Sequence, residues 1–224
     1  MTLEEVQQAV ERHRAVVHPL IKRLSHNPND RLGWRIFASH HHHIVREFPY
    51  HIQALFLRLP AKLQDKLAPV LTDEFPPGSL SNVSGATPDF SAHAELQLQM
   101  CRSLGTEPAE HVLPGVAQFI SEHRREAKLG ALAHALGAFG PGHEYAVPVM
   151  FRQLVSGSPP LVNPSYMFEH LTIDVDHERR FREVLLEEKV DPTMVFLGAM
   201  WSLDRRALAW DDILAAIETE EQCR

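Results

Sequence analysis

Residues 163–189 read NPSYMFEHLTIDVDHERRFREVLLEEK, and the fold is decided here. Met167, Leu171, Phe181, Val184 and Leu185 recur at helical spacing, so the stretch predicts a helix from Ser165 to about Lys189. At 100° per residue, His170, Asp174 and His177 fall within about 60° of one another. They lie at the centre of the apolar stripe, not opposite it. A carboxylate carried into a core is costly unless it is paired or holds a metal. The pattern H-x3-D-x2-H offers two imidazoles and a carboxylate at i, i+4 and i+7, which can converge on one ion. A satisfied His–Asp hydrogen-bond network, or a surface stripe, would use the same spacing. This helix alone leaves both readings open.

Outward from this stretch the chain reads as helix throughout. The pattern predicts helices over about 2–25, 31–59, 61–73, 90–104, 109–138, 143–156 and 193–219. Pro49 lies inside the second and is expected to kink it. Residues 75–89, FPPGSLSNVSGATPD, read as a loop, and Gly140-Pro141-Gly142 as a break. No run alternates as a strand would. The expectation is one all-α domain, a multi-helix bundle spanning residues 1–224.

Other helices also place ionisable residues on apolar faces. His41 sits among Phe37, Ile44, Phe48 and Leu55, while His40, His42 and His43 are expected toward edges or solvent. His93 lies amid Phe90, Leu96, Met100 and Leu104, and Glu144 shares a side with Val147, Phe151 and Leu154. Imidazoles and carboxylates from facing helices are how bundles hold iron or manganese pairs. The ferritin-like arrangement needs Glu-x-x-His twice, and the sequence has none. HExxH is also absent, since His143-Glu144 is followed by Tyr, Ala and Val.

Composition narrows the classes further. Hydrophobic residues make up 44% and charged residues 23% of 224, which excludes a largely disordered chain. A net charge of −7 argues against a partner bound through phosphates, so no nucleic acid is expected. No apolar run approaches a membrane span, and the opening MTLEEVQQAVERHR lacks the apolar region of a secretory signal. Cys101 and Cys223 stand far apart without a CxxC, which points to a reducing cytoplasm. A homodimer is the default assembly. Fifteen histidines are the compositional outlier.

Four stretches in order resemble the haem-oxygenase-like superfamily, in its branch of non-haem di-iron oxidases and oxygenases. These are relatives of the chlamydial death-domain-associating protein and of pyrroloquinoline-quinone synthase. His18-Pro19 is similar to an HP motif, and FASHHHHIVREFPYHI to the family's long second helix. Asp73-Glu74 followed by His93-Ala94-Glu95-Leu96 resembles its DE…HxEL pair. Glu144-x-x-Val-Pro followed by His170-x3-Asp174-x2-His177 resembles its remaining signatures, the last being the most specific.

The resemblance implies six metal ligands: Glu74, His93, Glu144, His170, Asp174 and His177. Asp73 is the substitute should Glu74 not return to the site. Some family members add a carboxylate from the second helix; His41 occupies that position here, and Glu47 lies off the face. The implied cofactor is iron, Fe(II)/Fe(III), as two ions, with O₂ as co-substrate and a small molecule as substrate. His41 and Tyr145 are the implied catalytic side chains. His18, Phe37, Arg46 and Phe151 are the implied substrate contacts. Three other readings accompany this one. They are cofactor-free oxidation as in pyrroloquinoline-quinone synthase, haem degradation with His13 or His18 as axial ligand, and a binding module using the acidic tail with Trp201 and Trp210.

Overall fold

The computed structural model describes residues 1–75, 92–159, 162–187 and 189–224. Helix starts follow capping chemistry. Thr2 and Glu5 form a capping box at the head of α1, Leu3–Arg12. His18 caps α2, Pro19–His26, by accepting from the Leu20 amide. Asp30 caps α3, Arg31–Phe56, through the Gly33 amide at 2.8 Å.

The expected helix over 2–25 is thus two helices. α1 ends at Arg12, where His13 is extended at φ −67°, ψ 145°. Pro19 sets the start of α2, since the residue before a proline is pushed out of the α region and His18 is extended at φ −63°, ψ 147°. Downstream come α4, Ala61–Glu74, and α5, Ala92–Ser103. The expected loop over 75–89 lies outside the described residues apart from Phe75.

The expected helix over 109–138 also divides. It begins with Pro114 at its first position as α6, Pro114–Leu129, and resumes as α7, Leu132–Phe139. Arg58 fixes the division. Its guanidinium donates to the carbonyls of Glu126, Ala127 and Gly130, which the helix end would otherwise leave bare.

Gly140-Pro141-Gly142 does not break the chain as expected. Residues Gly140–Tyr145 form a π-helical turn that runs directly into α8, Ala146–Gly157. A π turn inserts an extra residue into a helix and is common at functional sites. Here it brings both His143 and Glu144 into the interior. α9, Ser165–Glu187, and α10, Pro192–Gln222, complete the bundle. Gly137 and Gly198 let α7 and α10 approach closely: a Cβ at Gly137 would stand 2.1 Å from the Val195 carbonyl.

α3 packs against α4, α5, α6 and α10, so more than one of its faces is covered. His42 and His43 are therefore buried, not turned to solvent as expected. His43 reaches the Ala109 carbonyl at 2.9 Å. α3 also continues through Pro49. One apolar cluster gathers Trp34, Phe37, Phe151 and Trp210, and another gathers Phe48, Leu67, Phe139 and Phe181. Among the described residues no helix is long and apolar enough to cross a membrane.

Candidate metal centre

α9 presents His170, Asp174 and His177 on one buried face, as the spacing predicts. Glu74, at the end of α4, and His93, at the start of α5, reach it from one side. Glu144 reaches it from the π turn. All six side chains are buried, and they resolve into three acid–imidazole pairs. His93 Nδ1 lies 3.1 Å from Glu74 Oε1. His170 Nδ1 lies 2.8 Å from Asp174 Oδ2. His177 Nδ1 lies 3.2 Å from Glu144 Oε2. Asp73, which is partly exposed, meets the other nitrogen of His177 at 3.2 Å. Glu74 therefore does return to the site, and Asp73 joins it at the rim.

Such a set titrates collectively. Burial pushes Asp174 up to about 8 and Glu144 up to about 7, against the pull of neighbouring imidazoles. Burial opposes protonation of His93 and His177, but the carboxylates beside them more than offset it, leaving them near 9 and 10. Glu74 is also disfavoured as an anion by burial, yet the charge of His93 holds it below its ordinary value. Burial keeps His170 neutral. Without a cation the group balances its charge with protons.

The donor atoms test whether a metal fits. Glu74 Oε2, Glu144 Oε1, His93 Nε2 and His170 Nε2 are buried with no hydrogen-bond partner. They come from four separate elements, and buried polar atoms are rarely left bare. One ligand atom each from Glu74, Glu144 and His177 lie within 4.8 Å of one another. In the pairs of His93 and His170 a carboxylate holds Nδ1 and leaves Nε2 free, the usual orientation of a metal-binding histidine. Mixed imidazole and carboxylate donors suit iron or manganese. The residues fit a metal.

A small cavity adjoins this group, and Glu74, His93 and His170 are among the residues that line it. His41 lines it too, with Phe37 stacked on its ring at 5.0 Å. Phe151 stands edge-on to His170 at 5.2 Å. Three expected site residues lie elsewhere. The Tyr145 hydroxyl donates to Glu11 at 2.5 Å, on an exposed surface. Arg46 is half-exposed beside Glu47. His18 is buried, but the Leu20 amide and Asp211 engage its two nitrogens. His13 is likewise engaged, by the Ala15 amide and Asp204, so neither offers a free nitrogen to a haem.

Three cavity residues escape the sequence reading: Arg206, His143 and Tyr166. The signal for Arg206 was present. Ala199, Leu203, Arg206 and Trp210 recur at helical spacing, and all are buried on α10. His143 drops from view once HExxH is rejected, because only Glu144 shares a side with Val147, Phe151 and Leu154 in an α-helical register.

The chain belongs to a family of iron-containing redox enzymes, whose sequence profile matches residues 35–207. Its fold is haem-oxygenase-like. A domain of unknown function with that fold from Shewanella denitrificans OS217 superposes with a TM-score of 0.75 at 15% identity, covering 99% of this chain and 95% of that one. A TenA homologue from Pyrococcus furiosus gives 0.71 at 13% identity, over 95% of this chain and 100% of the other. A TenA homologue from Pseudomonas syringae pv. tomato gives 0.70 at 13%, over 95% and 91%. No functionally curated protein matches the sequence.

Proposed function

We propose that the chain is an oxidoreductase that uses two iron ions and O₂ to oxidise a small-molecule substrate inside the bundle. The observation carrying this reading is the set of four bare, buried donor atoms on Glu74, Glu144, His93 and His170. Glu74, His93, Glu144, His170, Asp174 and His177 would hold the ions. When bound, the iron supplies the electrons that reduce O₂ and the oxidising power that acts on substrate.

The protein's own part is positional. Glu74 and Asp174 accept from the Nδ1 atoms of His93 and His170, which fixes their tautomers and ring directions. Glu144 and Asp73 hold His177 from its two nitrogens. Phe37, Phe151 and Tyr166 pack around His41 and His170 and keep water out. Burial keeps His41 neutral, and its Nδ1 has no partner, which leaves that nitrogen for a hydrogen bond at the cavity wall. The free thiols Cys101 and Cys223 agree with a reducing compartment such as the cytoplasm.

Iron quantification with O₂ uptake tests this reading. Full-length protein loaded anaerobically with Fe(II) should retain about two irons per chain, as paired carboxylate sites do. It should consume O₂ only when loaded. Absence of bound iron or manganese, with O₂ uptake indifferent to chelator, would instead favour cofactor-free oxidation.

A further inference from the structure

Arg206 sits in the middle of α10 with its side chain 1% exposed. A guanidinium carries a full positive charge and five N–H donors. Among the described residues it makes one hydrogen bond, from Nη2 to His143 Nδ1 at 2.7 Å, and its Nε has no partner. No described carboxylate pairs with it. Phe119 and Trp210 instead flank the charge, with ring centroids 5.0 and 5.7 Å away. A buried charge without a counter-ion is expensive, and proteins keep one where something arrives to pair with it.

The cavity is where that partner would arrive. Arg206 lines it together with Glu74, His93 and His170. His143 fixes the guanidinium: its Nδ1 accepts from Arg206, and its ring is clamped on Phe48 at 3.7 Å with planes 13° apart. The lining also includes the aliphatic side chains of Ile44, Val45 and Val147. One cation facing an acidic metal group suits a singly charged anion better than a phosphate dianion. The planar fork of arginine matches a carboxylate. Burial also lowers the Arg206 pKa, though only to about 10, so the charge persists at neutral pH.

We infer that Arg206 anchors the carboxylate of a small, otherwise apolar substrate, whose aliphatic body lies along Ile44, Val45 and Val147 toward Glu74, His93 and His170. That this body is then oxidised rests on the function proposed above; the anchoring does not.

Calorimetric titration of the full-length protein with hexanoate and 3-methylbutanoate, and with their matched amides, tests the inference. The carboxylates should bind at least tenfold tighter than the amides. Arg206→Gln should weaken carboxylate binding at least tenfold, while leaving amide binding and iron content unchanged. His177→Ala should lose iron yet keep the carboxylate preference, so failure of the metal reading shows separately as an iron-poor wild type that still binds. Should Arg206→Gln not fold, the ¹⁵Nε resonance of Arg206 in the wild type decides. It should shift with hexanoate and stay still with hexanamide. Equal binding of acid and amide, no binding of either acid, undiminished binding by Arg206→Gln, or an unmoved resonance would each overturn the inference.

Discussion

Asp174 Oδ2 lies 2.8 Å from His170 Nδ1, one helical turn away, and both side chains are buried. The carboxylate holds the imidazole by one nitrogen and leaves Nε2 bare toward the cavity. This pair carries the distinction between a structural hydrogen bond and a metal ligand set.

Asp174→Asn separates the two. The amide keeps the shape but surrenders the charge. On the metal reading, iron affinity falls roughly 10- to 100-fold, as for other changes to a supported histidine ligand. Thermal stability of the metal-free protein stays level at pH 7, since burial already holds Asp174 neutral there, near 8. Metal analysis beside a melting curve checks both. A large stability loss with unchanged iron content would mark the pair as structural.

Metal uptake should release protons. His93 and His177 sit near 9 and 10, and Asp174 and Glu144 near 8 and 7, so the metal-free group is protonated at neutral pH. A cation must displace those protons, so affinity rises as pH rises from 6 to 8. Calorimetry in two buffers of different ionisation enthalpy counts the protons released. A count of zero with pH-independent affinity would contradict the assigned charges.

His51 tests the acid sensitivity of the core. It is 2% exposed, its Nε2 has no partner, and burial holds it near 3. The unfolded chain would protonate it near 6.5, so the unfolded state binds more protons between these values. Its contribution is fully present above about 6.5 and is lost as pH falls, by about 1.4 kcal/mol per unit. His51→Leu should shrink the stability difference between pH 7 and pH 5 by about 2 kcal/mol. Urea unfolding at the two pH values measures it, and an unchanged difference would refute the buried neutral state.

His18→Ala should cost about 0.5–2 kcal/mol of stability, the usual loss of a helix N-cap, with iron content unchanged. Tyr145→Phe should leave iron content and O₂ uptake alone, because its hydroxyl bonds to Glu11 on the surface. Loss of iron or of O₂ uptake in either variant would restore that residue to the site.

The all-α class and the buried face of α9 were legible because periodicity reports burial directly. What the sequence concealed is where backbone geometry departs from the regular helix. The first helix stops at Arg12 and a new one starts at Pro19, and the π turn at Gly140–Tyr145 turns two consecutive residues inward. Tyr145 follows them, and its hydroxyl bonds Glu11 at the surface, away from the place the resemblance implied. Arg46, implied as a substrate contact by the resemblance, lies half-exposed on α3 beside Glu47. Arg206 was missed because a long charged side chain on a helix is usually solvated. Its spacing with Ala199, Leu203 and Trp210 was the signal that it is not, and Phe119 and Trp210 flank its charge.

The most direct test of the central claim is anomalous diffraction at the iron edge from crystals grown anaerobically with Fe(II). The account predicts two peaks enclosed by Glu74, His93, Glu144, His170, Asp174 and His177. Density confined to the surface, or none among these six residues, would contradict it.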